Sequence, residues 1–423
     1  MIESYKGWLF KKREHGKIVF LDLRLTDGSI LQVVCKKDKL DNKTWELIEK
    51  LTQESSIEVI GELKEQPRAP GGKELVLQKL NVFHIAETPY PLAKKWHSVE
   101  ALMKYRHLTI RLPKYTKIWL IREAVLKAIR EYMEKEGYHE VSPPILVSSA
   151  CEGGSTLFEL DYFGSKAYLS QSAQLYLEAL IFSLGKVWSL TPSFRAEKSR
   201  TKRHLTEYWH LEAEATWIGN KEMMDFEEGM IKFTLEKLRE NDKLWNILKE
   251  FREEDIKFVQ NAIEKPFEKI KYSEVISLLQ EKGVKIEFGE DLGADEEALL
   301  TKMFDVPIFV THYPKEVKAF YMKWDPEDTR VVLNHDLLAP EGYGEIIGGS
   351  ERETDVNKLI ERIKAEGFSP EEYSWYLDLR RYGSVQHSGF GLGTERFVRW
   401  ILKLDHIRDS IPFPRMARVK NFI

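Results

Sequence analysis

Short runs of alternating apolar and polar residues dominate the first 88 residues. Five runs either alternate in this way or are rich in β-branched residues, as is typical of β-strands, over 7–13, 17–25, 29–37, 56–65 and 74–85. Glycine-containing turns separate several of them, and residues 41–54 between the third and fourth run have helical spacing. Five strands with a helix after the third predict a small Greek-key barrel of the OB type, a fold whose sheet face often binds oligonucleotides.

The second run places one aromatic residue on the polar side of its strand. Val19, Leu21 and Leu23 share one face, whereas Phe20 lies with Asp22 on the other. An aromatic ring among charged residues on an open sheet face can stack on a base. The alternative is a ring that a loop covers, and the pattern alone does not decide between them.

The rest of the chain mixes helices and strands without regular alternation. We expect a linker followed by a short helix at 89–112, then an amphipathic helix near 115–136, whose apolar stripe includes Ile118, Ile121 and Val125. Strand-like runs follow at 140–147, 166–172, 187–197, 205–217, 306–313 and 319–324, with helices near 220–262 and a glycine-rich strand and helix at the end. This pattern predicts an α+β fold in which helices flank an antiparallel sheet. The predicted domains are 1–88, the linker 89–112, and 113–423.

Composition excludes several classes of protein. The formal net charge is −4, so only local clusters such as the basic run 200–204 point to nucleic acid. Two cysteines, Cys35 and Cys151, do not suggest a disulfide framework or a zinc site. We find neither a membrane-length apolar run nor a signal peptide, and therefore expect a cytoplasmic protein.

Two polar motifs carry candidate chemistry. In the run 193–214, Arg195 and Glu197 are two positions apart on a strand and point the same way, so that a cation and a carboxylate can face one ligand. A surface ion pair is the simpler reading of that pair alone. In the run 387–402, Gly389, Gly391 and Gly393 precede a helix that contains Arg396, and these glycines let a ligand approach the backbone. A dinucleotide-binding reading fails because no βαβ unit accompanies the glycines.

Together with the helix–strand junction at 137–146, these motifs resemble the three signatures of class II aminoacyl-tRNA synthetases. The whole chain is similar to their aspartyl/asparaginyl/lysyl subgroup, in which an OB anticodon domain precedes the catalytic domain. The resemblance implies that the protein uses ATP and Mg²⁺. It also implies that the protein is a homodimer, whose interface contains Pro144 and the helix that precedes this junction.

The resemblance also assigns site residues. It implies that Arg195 holds the α-phosphate and Arg396 the γ-phosphate, that Glu197 binds the adenine amine, and that adenine lies between Arg396 and Tyr208. It implies further that Asp336 and Glu345 bind Mg²⁺, with Gly348 where aspartyl members have a serine ligand, and that Glu345 is also one of the ATP-binding residues. The remaining implied ligands are Glu152 and Gln174 for the substrate α-amino group, and Phe20 and Gln32 for the central anticodon base.

Three positions decide between aspartate and asparagine. Arg352 matches the arginine that donates to the substrate side chain in both kinds of enzyme. Leu177 stands where aspartyl members have a lysine, and Glu212 where they have an aspartate. One cation and one anion suit a neutral carboxamide, because the longer acid Glu212 can accept from the amide NH₂ group and would repel a substrate carboxylate.

We therefore expect the substrates L-asparagine, ATP and tRNA(Asn). The alternatives are an aspartyl enzyme, an asparagine synthetase built on the same catalytic core, and a non-catalytic RNA-binding protein. Asparagine synthetases of that kind lack an anticodon domain, and a non-catalytic protein would have lost some of Arg195, Glu197, Glu345 and Arg396.

Overall fold

The fold is described from a computed structural model that covers residues 2–93, 97–148, 151, 157–197 and 201–417. The chain divides into two compact units, one up to Leu120 and one from Ile121 onwards. Among the described residues no helix is both long enough and apolar enough to cross a membrane. Glu152 and Arg200, the first residue of the basic run, lie outside the described residues.

The first unit contains a closed five-stranded barrel. Its elements are β1 (Ile2–His15), β2 (Ile18–Arg24), β3 (Ile30–Lys36), α1 (Asn42–Lys50), β4 (Ser56–Glu65) and β5 (Lys73–His84). The strand order is β1-β2-β3-β5-β4, and β1 closes the barrel because it pairs with both β2 and β4. The inward side chains, among them Leu21, Leu23, Val33 and Ile57, are fully buried together with Ile48 of α1. The predicted barrel and its helix are confirmed.

Two short helices follow, α2 (Val99–Lys104) and α3 (Arg106–Thr109), and then the long helix α4 (Pro113–Lys135). The predicted apolar stripe of α4 is buried, with Ile118, Ile121 and Val125 all fully shielded from solvent. Gly137 follows the helix at a positive φ of 78°, a conformation that glycine adopts without steric cost.

The second unit is built on an eight-stranded sheet with helices packed against it. Its strands are β6 (His139–Glu140), β7 (Leu146–Val147), β8 (Glu159–Tyr162), β9 (Ser165–Leu169), β10 (Lys186–Phe194), β11 (Glu207–Thr216), β12 (Glu268–Lys271), β13 (Ile308–Thr311), β14 (Asn334–Ala339), β15 (Gly344–Glu351) and β16 (His387–Gly393). Its helices, after α4, are α5 (Gln174–Leu184), α6 (Asn220–Glu240), α7 (Asp242–Arg252), α8 (Ile256–Glu264), α9 (Tyr272–Glu281), α10 (Ala294–Thr301), α11 (Val356–Ala365), α12 (Ser374–Arg381) and α13 (Thr394–Ile401).

The sheet order is β12-β13-β14-β15-β16-β11-β10-β6, while β7, β9 and β8 form a small separate sheet. Every pair from β13 to β10 is antiparallel, and only the outermost pairs, β12 with β13 and β10 with β6, are parallel. The predicted α+β class with an antiparallel sheet is confirmed. The strand predicted at 319–324 is wrong, because that segment makes only isolated bridges at Met322 and Trp324.

Candidate active site

One face of the large sheet carries a cavity of about 570 Å³. Strands β11, β14, β15 and β16, the residue that follows β10, the start of α5 and the segment 316–322 contribute to its walls. Six residues that the sequence nominated line it: Gln174, Arg195, Glu212, Asp336, Glu345 and Arg352. Residues that are distant in the sequence are thus gathered around one space.

A smaller cavity adjoins the first and shares Arg195 and Glu345 with it. It is lined also by Tyr208 and Arg396, so it brings together four of the five residues predicted to bind ATP. Glu197, the fifth, lines a neighbouring hollow with Arg195.

The row of polar side chains on β11 depends on glycines in the strand beside it. His210, Glu212 and Glu214 alternate along β11 and therefore lie on one face, and Glu214 pairs in register with Gly389 of β16. A Cβ at Gly389 would overlap the Glu214 carboxylate, and one at Gly391 would overlap the His210 ring. These two glycines make room for neighbouring side chains, a role that the sequence analysis did not foresee.

Glu212 is anchored at the beginning of α5. Its carboxylate accepts hydrogen bonds from the Ser172 hydroxyl and, at 2.8 Å, from the backbone N–H of Ala173, which precedes the helix. A negative charge at a helix N-terminus is electrostatically favourable. The residue is only 3% exposed, so its charge acts in a largely desolvated space.

Arg352 is held by Glu214 and not by Glu212. Its Nε donates to Glu214 at 3.1 Å, its Nη2 donates to the same carboxylate, and its Nη1 donates to the Ser350 hydroxyl at 2.6 Å. The guanidinium also lies 5.2 Å from the centre of the Tyr321 ring. Glu214 therefore neutralises and orients the arginine. Leu177 belongs to a buried apolar cluster with Ala173, Ile181 and Val187.

The nucleotide side of the site is rich in cations. The Arg195 guanidinium lies 5.6 Å from the Tyr208 ring centre, and Arg396 forms an ion pair with Glu345 at 2.9 Å. Although burial opposes its ionisation, Arg396 and Arg203 lower the pKa of Glu345 to about 2. Burial, reinforced by Arg195 and Arg396, lowers the pKa of His210 to about 3, so this ring is neutral near pH 7.

The two carboxylates predicted to bind a metal converge around Gly348. A Cβ built on this glycine would lie 3.6 Å from an oxygen of Asp336 and 3.6 Å from an oxygen of Glu345. Lys318 supplies a cation at the same place, with its Nζ 2.6 Å from Asp336. Within the described ranges no cluster of three or more metal-ligating side chains occurs. Two hard oxygen donors fit Mg²⁺, which usually keeps several waters or phosphate oxygens.

Several residues of the site were missed by the sequence analysis. Arg203, in the basic run, forms a two-pronged ion pair with Glu297 of α10, whose second oxygen also accepts from the backbone N–H of Glu345 at 2.8 Å. Lys318 and Glu214 were missed as well. The residues that they contact are distant from them in the sequence, so no local pattern identified them. The one sequence feature that pointed to any of them was the basic character of the run around Arg203.

The barrel carries its own candidate site. Phe20 on β2 is half-buried, and Gln32 on β3 pairs in register with Asp22, so both predicted residues face the same side. Arg13 of β1 connects them: it lies 5.5 Å from the Phe20 ring centre, donates to Gln32 at 3.1 Å, and pairs with Asp22 at 2.6 Å. Arg13 is an addition to the predicted pair.

Comparison with known proteins agrees with this geometry. Residues 98–417 match the family model for class II tRNA synthetases (D, K and N), and residues 4–83 match that of the OB-fold nucleic acid binding domain. The chain is 54% identical to an asparagine–tRNA ligase of Pyrococcus abyssi, over 97% of this chain and 93% of the relative. It is 46% identical to one of Thermoplasma acidophilum, over 98% and 95%.

Solved structures give the same result. The crystal structure of the Pyrococcus horikoshii asparaginyl-tRNA synthetase complexed with asparaginyl-adenylate superposes with a TM-score of 0.93 at 53% identity, covering 99% of this chain and 95% of the other. The Entamoeba histolytica enzyme with the same adenylate gives 0.85 at 32% identity, with 99% and 95% covered. The chain therefore belongs to the class II tRNA synthetases, and within them to the asparagine–tRNA ligase family.

Proposed function

We propose that this protein activates L-asparagine with ATP to asparaginyl-adenylate and transfers the asparaginyl group to tRNA(Asn), releasing pyrophosphate and then AMP. The observation that carries the proposal is that side chains suited to a carboxamide and side chains suited to a nucleotide line connected cavities. An acid and an arginine, Glu212 and Arg352, share one cavity with Arg195 and Glu345, and the latter two continue into the cavity of Arg396.

The acid and the arginine suit a carboxamide. The Arg352 guanidinium donates to the substrate side-chain oxygen, and Glu212 accepts from its NH₂ group. An aspartate side chain would place a second negative charge beside Glu212 in a desolvated space, which is strongly unfavourable. The relatives named asparagine–tRNA ligases and the adenylate in the Pyrococcus horikoshii structure support asparagine as the substrate.

Positioning and charge stabilisation supply the chemistry of the first step. The α-carboxylate of asparagine is already ionised, so no base is required when its oxygen attacks the α-phosphorus of ATP and the bond to pyrophosphate breaks. Arg195 stabilises the charge on the α-phosphate, and Arg396 holds the γ-phosphate while stacking with Tyr208 on either side of the adenine. Glu197 accepts from the adenine amine.

Asp336 and Glu345 are the residues that would hold Mg²⁺, which would neutralise phosphate charge on the departing pyrophosphate. Gln174 accepts from the α-ammonium group, as does Glu152, which lies outside the described residues. In the second step, a hydroxyl of the terminal ribose of the tRNA attacks the activated carbonyl and AMP leaves.

The barrel would recognise the anticodon, with Phe20 stacking on the central base and Gln32 hydrogen-bonding to its edge. A second copy of the chain is the proposed partner at Pro144 and the preceding helix. Pro144 and the neighbouring Leu146 are both exposed in the single chain. The cytoplasm is the proposed location.

The test is aminoacylation of tRNA(Asn) and tRNA(Asp) transcripts with labelled asparagine and aspartate. We expect asparagine to be attached to tRNA(Asn), and preferential attachment of aspartate would refute the proposal. The Arg195→Ala variant should keep its circular dichroism spectrum and lose asparagine-dependent pyrophosphate exchange. Exchange at the wild-type rate in that variant would exclude the role given to Arg195.

A further inference from the structure

The carboxamide of Gln174 lies between the large cavity and a buried carboxylate. Gln174 is the first residue of α5 and lines the cavity. Its Nε2 donates to Glu178 at 3.0 Å, one helical turn further on. Glu178 is fully buried and does not itself line the cavity. Because residues four positions apart lie on the same side of a helix, Gln174 lies between Glu178 and the cavity.

Glu178 is surrounded by donors besides Gln174. Its carboxylate accepts from the Tyr376 hydroxyl at 2.8 Å, from Arg380 Nη2 at 2.5 Å and from His387 Nε2 at 3.0 Å. Although burial opposes the charged form, the Arg380 guanidinium and the His387 hydrogen bond hold the pKa of Glu178 well below its usual range. The group is therefore an ionised carboxylate, which accepts hydrogen bonds and donates none.

This acceptor fixes which end of the Gln174 amide faces the substrate. A glutamine amide can present either its NH₂ group or its oxygen, and the two orientations have nearly the same shape. Only the NH₂ group can satisfy Glu178. The carbonyl oxygen of Gln174 is thereby left as the acceptor on the cavity side.

We propose that Glu178 is a positioning residue for the α-ammonium group of the substrate, acting through Gln174, whose amide oxygen it turns towards the cavity. This inference rests on the proposed function, in which Gln174 accepts from that ammonium. Glu178 itself does not touch the substrate. Its effect depends on the substrate carrying a positive α-ammonium, and that dependence separates it from a residue that only supports the fold.

The Glu178→Gln substitution has a defined structural consequence. Arg380 and His387 are donors and will retain the oxygen of the new amide, so its NH₂ group will face Gln174. Gln174 must then turn its own oxygen inwards and present its NH₂ group to the cavity, where it would oppose an ammonium. Loss of a hydrogen bond to a charged group weakens binding by about tenfold or more.

The experiment compares asparagine with succinamate, which is asparagine without its α-amino group. KM for asparagine and Ki for succinamate are measured in asparagine-dependent pyrophosphate exchange with the full-length protein. In Glu178→Gln we expect the ratio of Ki to KM to fall by about tenfold or more, because asparagine binding weakens and succinamate binding does not. In a Gln174→Ala background the same substitution should leave the ratio unchanged.

Tyr376→Phe is the matched control, because it removes another hydrogen bond to Glu178 without freeing Gln174, and its ratio should equal that of the wild type. If Glu178→Gln does not fold, Glu178→Asp retains the charge beside Arg380 but withdraws it from Gln174, and the ratio should again fall. Equal weakening of both ligands in the Glu178 variants would overturn the inference. Absence of asparagine-dependent exchange in the wild type would instead refute the proposed function.

Discussion

Glu212→Gln is the most informative single change for substrate choice. The carboxylate of Glu212 accepts from the Ser172 hydroxyl and the Ala173 N–H. A glutamine of the same shape can keep both anchors, because its oxygen accepts from the N–H and its NH₂ group can donate to the hydroxyl oxygen. The substitution therefore removes the negative charge and leaves the local structure in place.

The size of the effect follows from the burial of this residue. Two like charges about 4 Å apart at an effective dielectric constant of about 20 repel by roughly 4 kcal/mol, which corresponds to about a thousandfold in relative rate. Losing a hydrogen bond between the substrate NH₂ group and a charged acceptor costs about 1.5–3 kcal/mol. Selectivity for asparagine over aspartate should thus fall by about a thousandfold or more, mostly through removal of the repulsion.

The assay is pyrophosphate exchange, with kcat/KM measured separately for asparagine and aspartate. Glu341→Gln serves as a control, because Glu341 is a well-shielded carboxylate paired with Arg252 and lies outside the residues that line either cavity. That control should lower thermal stability without changing the ratio of the two kcat/KM values. If Glu212→Gln leaves this ratio within about threefold of the wild type, a difference of only about 0.7 kcal/mol, Glu212 does not discriminate between the two side chains.

Three further substitutions test other parts of the site. Gly348→Ser adds a Cβ at ordinary contact distance from the two predicted metal carboxylates, so the variant should fold. It should lower the Mg²⁺ concentration that gives half-maximal exchange. Unchanged affinity for Mn²⁺, measured in place of Mg²⁺ by electron paramagnetic resonance, would contradict this. Gly389→Ala forces its Cβ against the Glu214 carboxylate and should destabilise the protein by about 1–3 kcal/mol and raise KM for asparagine; an unchanged melting temperature would argue against that packing. Phe20→Ala should raise KM for tRNA by roughly 10- to 100-fold while pyrophosphate exchange without tRNA stays the same; an equal loss in both assays would exclude base stacking.

Local pattern was sufficient to predict the barrel. Strands β1, β2, β4 and β5 each have one mainly buried face, so a period of two is visible along them, whereas five consecutive residues of β3 are buried. Helix α1 has a clear amphipathic pattern. The burial of Arg24 could not be predicted from the sequence. It lies on the polar side of β2, yet it is buried, because Glu54 pairs with it at 2.8 Å and the Trp8 ring lies 4.8 Å away.

The large sheet was harder to predict because its central elements are buried on more than one side. Helix α5 was not predicted, since Leu175, Leu177 and Ile181 are buried on different sides and remove the amphipathic signal. The nominated site residues came from motif resemblance, and the structure gathers those of the second unit that it describes around two adjoining cavities and a neighbouring hollow, while Phe20 and Gln32 lie on the barrel. The glycine–carboxylate packing at Gly389 and the partner of Arg352 depend on strand register, which single-chain patterns do not specify.

The closure of the barrel makes the N-terminal strand more important than its position suggests. Ile2 to Trp8 pair with β4, and Trp8 to His15 pair with β2, so one strand satisfies the backbone of two neighbours. Trimming residues 2–7 would leave β4 with a bare row of N–H and C=O groups, a template for edge-to-edge association. Variants that lack residues 2–7 should therefore aggregate. An expression tag attached before this strand needs a spacer that leaves the pairing of β1 with β4 intact.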